Sequence, residues 1–229
     1  MYFWKCWRDT RSFFIVFLII AAIVMPVAAI VCVGTHLVED FGTSAFSTTF
    51  GLILTAVALG LGAVGAIHEF ADKTAHFLFT KPRSRAYFVW AGWAVGLAEL
   101  AAVAAVNFLA GWATLSHYSK NPFHSALNGS MTAQNFLDDL IFCIWAYCLT
   151  YSLTVLLRNG LKGLGASMAI LFGLPFFAAA VRWRWHIDLP LFPGLPLGSL
   201  PLVVSNIIWI LIAMFFVLAA QLVVERAEM

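Results

Sequence analysis

One carboxyl group lies inside a long apolar run of this chain. Glu99 stands in the stretch GLAELAAVAAVN, and Asn107 follows it eight residues later. A carboxylate in a hydrocarbon medium costs several kcal/mol unless it is paired or protonated. Such a group can contact a substrate, carry a proton or line a water-filled path. It can also be a protonated side chain that hydrogen-bonds a neighbouring helix for packing, and the sequence leaves both interpretations open.

Few polar groups could accompany Glu99. Asn107 falls on the same helical face, about two turns away, and Asn206 in the last apolar run could reach Glu99 from another helix. These three residues are the candidate lining of a substrate path. Asp138 and Asp139 come near the end of a different apolar run, where we expect them to be solvated. An enzyme would need at least two convergent polar groups in one pocket, and the apolar runs supply few.

Two short patterns look like known motifs but lack the rest of the site. Gly60, Gly62 and Gly65 spell GxGxxG inside an apolar run, whereas a dinucleotide site follows a strand. We predict instead that Gly60 and Gly62 let neighbouring helices approach closely. His68 and Glu69 begin like the zinc motif HExxH, but position 72 is aspartate, so the second zinc ligand is missing.

The cysteines do not spell a metal or redox motif. None of the four belongs to a CxxC pair, and Cys143 and Cys148 are five residues apart. On a helix that spacing points the two thiols about 140° apart, so they cannot bridge each other. We expect Cys6, Cys32, Cys143 and Cys148 to be free thiols that behave as small hydrophobic residues.

The composition indicates a polytopic membrane protein. The 229 residues are 62% hydrophobic and only 10% charged, with a mean hydropathy of +0.92. Soluble domains are about 25% charged, and so little polar surface could not cover a water-soluble fold of this size. The net charge of +2 gives no indication of a nucleic-acid partner.

The apolar runs predict an all-α fold with a single transmembrane domain over residues 1–229. A transmembrane helix needs about 20 mostly apolar residues, and six segments meet that length. The predicted spans are 13–34, 46–67, 87–109, 136–157, 164–181 and 202–224.

The distribution of lysine and arginine predicts the orientation of these spans. Ten of the thirteen lie in the N-terminal segment, the second loop, the fourth loop and the tail, and three lie on the other side. Because basic loops stay in the cytoplasm, both termini and the second loop are predicted to be cytoplasmic. An even number of spans agrees with this.

Two flanking segments have a composition typical of a membrane interface. Residues 2–12 place Phe3, Trp4 and Trp7 on one side, which predicts a short interfacial helix, with an ordinary aromatic flank as the alternative. Residues 182–201 are rich in tryptophan, proline and leucine, and could form a re-entrant segment or an extended outer cap.

The second loop is a charged island, residues 69–85, with the sequence EFADKTAHFLFTKPRSR. Glu69 to about Phe79 can form a helix, which Pro82 limits because the residue before proline avoids helical angles. This predicts a short amphipathic helix at the membrane surface and then a basic turn; a plain cytoplasmic loop is the alternative. One face of the helix would carry Phe70, Thr74, Phe77 and Leu78.

The residue order of this island carries a family resemblance. The residues concerned, in register without a gap, are Glu69, Thr74, Phe77, Leu78, Phe79, Thr80, Pro82, Ser84 and Arg85. They resemble the loop between the second and third helices of ABC-2-type transporter permeases, from whose pattern Lys73, His76 and Arg83 depart. The six spans, the chain length and the cytoplasmic ends are also similar to that family.

The resemblance implies the membrane-spanning subunit of an ABC exporter in a bacterial cytoplasmic (inner) membrane. Such a subunit pairs with a second permease copy or homologue and with ABC ATP-binding subunits. Phe77 and Leu78 would fill a groove on the ATPase, and Glu69 and Arg85 would fix the register through charge pairs. The island would then be a cytoplasmic coupling helix between the second and third helices, and its further coupling residues would be Thr74 and Pro82.

The same resemblance places the hydrolysis of ATP on a partner. The chain has no GxxxxGK[ST] phosphate loop, so ATP and magnesium would bind another subunit, and this chain would not be an enzyme by itself. The substrate cannot be read from the sequence. The alternative hypotheses are a proton-coupled carrier or intramembrane enzyme that uses Glu99, and a non-catalytic membrane assembly factor.

Overall fold

A computed structural model of the chain describes residues 2–34, 41–70, 85–118, 133–185 and 200–226. These residues form helices and contain no strand, which confirms the all-α class for the part described. The six helices are α1 (Tyr2–Gly34), α2 (Phe41–Phe70), α3 (Arg85–Tyr118), α4 (Ala133–Leu157), α5 (Gly160–Trp185) and α6 (Leu202–Arg226).

Five of these helices are long and apolar enough to cross a membrane. The stretches that meet this criterion are Phe3–Ala28, Tyr87–Gly111, Leu137–Leu157, Gly160–Trp185 and Leu202–Arg226. In α2 the apolar stretch among the described residues is shorter, Thr49–Gly65. The protein is therefore a helical integral membrane protein, and a sixth span through α2 stays a prediction.

The first helix differs from its prediction at the N-terminus. Residues 2–12 are helical, but they continue without a break into the apolar stretch instead of forming a separate interfacial helix. No proline or glycine interrupts this region, and Cys6 and Thr10 are buried in the bundle. At 33 residues, α1 is about 50 Å long and exceeds the hydrocarbon thickness of about 30 Å. At least one of its ends therefore extends beyond the lipid tails.

The second and fourth helices run parallel in a fixed register. The hydroxyl of Thr55 in α2 lies 3.9 Å from the thiol of Cys143 in α4. Seven residues further along both helices, Gly62 packs against Thr150, where an added Cβ would lie 2.8 Å from the Thr150 Cβ. Gly60 likewise admits the ring of Phe13 from α1. The predicted packing role of the glycines is thus confirmed at two positions.

The third helix runs parallel to α1 and antiparallel to α4. The ring of Phe3 in α1 packs edge-on against Tyr87 in α3 at a centroid distance of 6.1 Å. From α4, Tyr147 donates a hydrogen bond to the carbonyl oxygen of Trp93 at 2.9 Å, and Tyr151 donates to that of Val89 at 2.8 Å. Later residues of α4 therefore meet earlier residues of α3.

A tight turn joins α4 to α5 and reverses the chain. Arg158 has a φ of 51°, and the side-chain oxygen of Asn159 accepts a hydrogen bond from the backbone of Lys162 at 3.1 Å, which caps α5. Gly163 then packs so closely on Thr154 that no larger residue fits without displacement.

The fourth helix forms the centre of the bundle. Residues 145–152 are all buried, which means that every side of this stretch faces protein. Helices α2, α3, α5 and α6 pack around it, and α1 packs on α2 and α3. Its largest fully buried side chains are Tyr147 and Tyr151.

The alternating helix directions bring basic residues to one end of the bundle. At this basic end α1, α3 and α5 begin and α2, α4 and α6 finish. The basic residues of the described helices and turns at this end are Lys5, Arg8, Arg11, Arg85, Arg158, Lys162 and Arg226. Of the lysines and arginines in the described residues, only Arg182 and Arg184 lie at the other end of the bundle.

Candidate functional site

The Glu99 carboxyl is buried between α1 and α3. Only 4% of the residue is exposed, and its Oε1 accepts a hydrogen bond of 2.6 Å from the Thr10 hydroxyl. That hydroxyl also lies 3.1 Å from the carbonyl oxygen of Cys6 and 3.3 Å from that of Trp7. Because a hydroxyl has one proton, it can donate to only one of these acceptors at a time.

The second carboxyl oxygen of Glu99 has no hydrogen-bond partner among the described residues. No lysine, arginine or histidine in the described part of the chain pairs with this carboxyl; the neighbouring Arg8 pairs with Asp9 at 3.5 Å and is 56% exposed. Within the described part of the chain, Glu99 is thus a buried acid with one hydrogen-bond donor and no counter-charge.

Three helices converge on this carboxyl. The Cys6 thiol of α1 and the Tyr147 hydroxyl of α4 are close enough to interact electrostatically with it. Tyr147 reaches this position because Gly96, three residues before Glu99, leaves room for its hydroxyl. The local sequence therefore admits a large polar aromatic residue beside the acid, where a side chain at position 96 would exclude it.

Asn107 lies on the same buried face of α3 as Glu99, as predicted. It is fully buried, and neither its oxygen nor its nitrogen has a hydrogen-bond partner among the described residues. Eight residues of helix separate the two side chains by about 12 Å along the axis, so they do not contact each other. Leu100 and Val103, which lie between them, are buried as well.

Asn206 does not approach Glu99. Its side-chain nitrogen donates a hydrogen bond of 2.9 Å to Asp138 in α4, and Trp209 one turn later packs edge-on against Trp145. The suggested pairing of Asn206 with Glu99 is therefore wrong, because α6 packs mainly on α4 and Asn206 lies near the start of α6. Asp138 is half-buried and hydrogen-bonded, where solvation was expected.

Thr10, which donates the hydrogen bond to Glu99, is a residue of this site that the sequence did not reveal. The sequence predicts a separate interfacial helix over residues 2–12, and a helix lying outside the bundle offers no face to Glu99. Continuing the helical periodicity of α1 through this segment would have placed Cys6 and Thr10 on one face, four residues apart. That face is the buried one.

The charged island is only partly within the described residues. Thr74, Phe77, Leu78 and Pro82 lie outside them. Glu69 belongs to the last turn of α2 and Arg85 is the first residue of α3, where the backbone but not the side chain is described. The two helix ends that the island joins both lie at the basic end.

The thiols behave as small buried side chains. Cys6, Cys143 and Cys148 are buried and form no disulfide, and the Trp93 indole donates to the Cys148 sulfur at 3.3 Å. The side chain of Cys32 lies outside the described residues. Among the described residues, no group of three histidine, cysteine or acidic side chains could hold a metal ion.

Comparisons with known proteins do not assign the chain to a family. No protein-family model matches it, and neither the curated proteins nor the solved structures contain a significant match.

Proposed function

We propose that this chain is the membrane-spanning subunit of an ABC-2-type exporter, driven by a separate ATP-binding subunit. The observation that carries the proposal is the residue order of the charged island from Glu69 to Arg85, which is similar to the coupling loop of that family. The chain would pair with a second permease copy or homologue in a bacterial cytoplasmic membrane.

The topology of the bundle supports this assignment. The island connects the end of α2 to the start of α3, and both lie among the basic residues of the bundle. By the positive-inside rule the basic end is cytoplasmic, which gives a soluble ATPase access to the island and puts both termini on the same side. Six spans, with α2 crossing the membrane, are required by this arrangement.

The contacts of α3 suggest how movement at the island would spread. α3 is tied to α1 by the Thr10–Glu99 hydrogen bond and to α4 by the hydroxyls of Tyr147 and Tyr151. Displacement of the start of α3 by an ATPase would therefore move α1 and the central helix together. In this mechanism Phe77 and Leu78 dock on the ATPase and the bundle alternates access to the substrate path.

Copurification from the native membrane tests the proposal. We expect the full chain to bring down a Walker-motif ATPase, and Glu69→Ala or Phe77→Ala to reduce the amount recovered. Arg184→Ala, at the opposite end of the bundle, is the matched control and should leave recovery unchanged. Absence of an ATPase from the wild-type preparation, with transport unaffected in the island variants, would contradict the assignment.

A carrier that works through Glu99 without ATP is the second candidate. It is favoured by the buried carboxyl that lacks a counter-charge among the described residues. Transport that persists after ATP depletion but is lost in Glu99→Gln would favour this candidate over the exporter.

A further inference from the structure

We propose that Glu99 is a proton-binding site inside the membrane, with Thr10 as the residue that positions its carboxyl. This inference does not rest on the exporter function, because it concerns the group that neutralises Glu99. It follows from the burial of the carboxyl, its hydrogen bonds and the size of the space around it.

Glu99 needs a positive partner that the described residues do not supply. An ionised carboxylate in a low-dielectric interior is far less stable than in water, and proteins compensate with a cation or by protonation. Thr10 gives one hydrogen bond to Oε1, and Oε2 remains without a partner among the described residues. A single neutral donor does not compensate a full negative charge.

The titratable groups that face Glu99 cannot neutralise it. Among the residues that the structure describes, they are the Cys6 thiol from α1 and the Tyr147 hydroxyl from α4, and neither carries a positive charge. The basic residues of α1 nearest to Thr10 in sequence, Arg8 and Arg11, are exposed. The described side chains of α2, residues 49–65, include no titratable group.

The packing around Glu99 selects a proton over larger cations. The residue is 4% exposed, the Tyr147 hydroxyl presses against Gly96, and Leu100 is buried beside it. Hard metal cations take six or more oxygen ligands, and the described residues offer no acidic cluster for them. An organic ammonium group would require a cavity of its own volume. A proton occupies the carboxyl oxygen without displacing any side chain.

Two polar side chains, those of Thr10 and Asn107, lie on opposite sides of Glu99 along the bundle. Thr10 lies in the segment of α1 that carries the exposed Arg8 and Arg11, towards the basic end. Asn107 lies about 12 Å along α3 in the other direction, with both amide atoms without partners among the described residues. An amide can both donate to and accept from water. Glu99 therefore has a hydroxyl in contact on one side and a buried amide further along α3 on the other, with the apolar side chains of Leu100 and Val103 between the carboxyl and that amide.

Infrared difference spectroscopy of the full chain in lipid vesicles tests the proposal directly. Raising the pH of the wild-type sample should remove the C=O stretching band of a protonated carboxyl, and that component should be missing in Glu99→Gln. Glu225→Gln is the matched control, because Glu225 is a helical acid that accepts a hydrogen bond of 3.0 Å from Gln221. The Glu225→Gln variant should retain the pH-dependent C=O band of Glu99. Identical difference spectra for wild type and Glu99→Gln would overturn the proposal.

The role of Thr10 has its own spectroscopic signature. In Thr10→Val the carboxyl band should move to the higher frequency of a carboxyl without this hydrogen bond, whereas Thr10→Ser should keep the wild-type frequency. A band that is unchanged in Thr10→Val would show that Thr10 does not position the carboxyl.

If the Glu99→Gln variant does not fold, a measurement on the wild-type chain replaces the infrared comparison of wild type and variant. An apolar carbodiimide adds to a protonated carboxyl and leaves a stable N-acylurea, which mass spectrometry locates on a peptide. We expect the adduct on Glu99 in acidic buffer, with a yield that falls as the pH rises. An adduct on Glu99 whose yield does not fall as the pH rises would overturn the proposal.

Discussion

The hydroxyl of Thr10 in α1 donates a hydrogen bond of 2.6 Å to the carboxyl of Glu99 in α3, across 89 residues of sequence. This bond links the basic segment of α1 to the middle of the longest described helix. Both side chains are buried, so the bond joins the two helices in the interior of the bundle. Its removal therefore has consequences for both stability and protonation.

Replacing Thr10 by valine should destabilise the protein. The change keeps the volume but removes the donor to Glu99, and leaving a buried acceptor without its partner costs about 1–3 kcal/mol. Thr10→Ser, which keeps the hydroxyl, should stay close to wild type. Thermal unfolding in detergent micelles, followed by tryptophan fluorescence, measures the difference. Equal melting temperatures for the valine and serine variants would show that the hydrogen bond does not contribute.

Buried Asn107 and half-buried Asn206 should respond differently to replacement by leucine. Asn107→Leu removes amide atoms that have no partner among the described residues, so stability should rise or stay within about 1 kcal/mol of wild type. Asn206→Leu removes the donor to Asp138 and should cost about 1–3 kcal/mol. The same unfolding assay compares them. A large loss in Asn107→Leu would mean that the amide has an essential partner, such as a bound water.

Glycine substitutions should report where helices touch. Gly62→Ala should destabilise by about 1–3 kcal/mol, because the added methyl group would meet the Thr150 Cβ at 2.8 Å and the α4 backbone at 3.0 Å. Gly173→Ala in α5 is the matched control. Apart from its chain neighbours and its own helix backbone, no atom of the described residues lies within 4 Å of its added Cβ, so the better helix propensity of alanine should stabilise by up to about 1 kcal/mol. Equal unfolding midpoints for Gly62→Ala and Gly173→Ala would contradict the α2–α4 register.

An engineered disulfide should verify the parallel register of α2 and α4. Thr55→Cys places a second sulfur where the hydroxyl now lies 3.9 Å from the Cys143 thiol, a separation that side-chain rotation can close. Mild oxidation should join the two peptides, which mass spectrometry after proteolysis detects. The double variant with Cys143→Ala should give no such pair. Cross-linking to Cys148 instead would show a different register.

The sequence predicted most of the helices because apolar length is a local property. All six predicted spans fall inside observed helices, and the glycines at positions 60 and 62 pack closely as expected. The prediction failed at residues 2–12, where the change from basic-aromatic to apolar residues suggested a boundary that the backbone does not have. A continuous helix satisfies its own backbone hydrogen bonds across such a change in composition.

The partners of the polar residues could not be predicted in the same way. Glu99 pairs with Thr10 and Asn206 with Asp138, each across more than sixty residues. Nothing in the local sequence of either pair indicates the other member. The family resemblance of the charged island likewise stays a prediction, because Thr74, Phe77, Leu78 and Pro82 lie outside the described residues.

The sequence by itself determined that this protein is built from long apolar helices, with most of its basic residues at one end. The tertiary structure alone decided that α2 and α4 run in register, that α4 is central, and that Thr10 rather than Asn206 meets Glu99. The physical reason is that lipid-facing and protein-facing surfaces of membrane helices are about equally apolar, so hydrophobic patterning does not identify neighbours. Close packing at small residues and hydrogen bonds between buried polar groups determine which helices are neighbours.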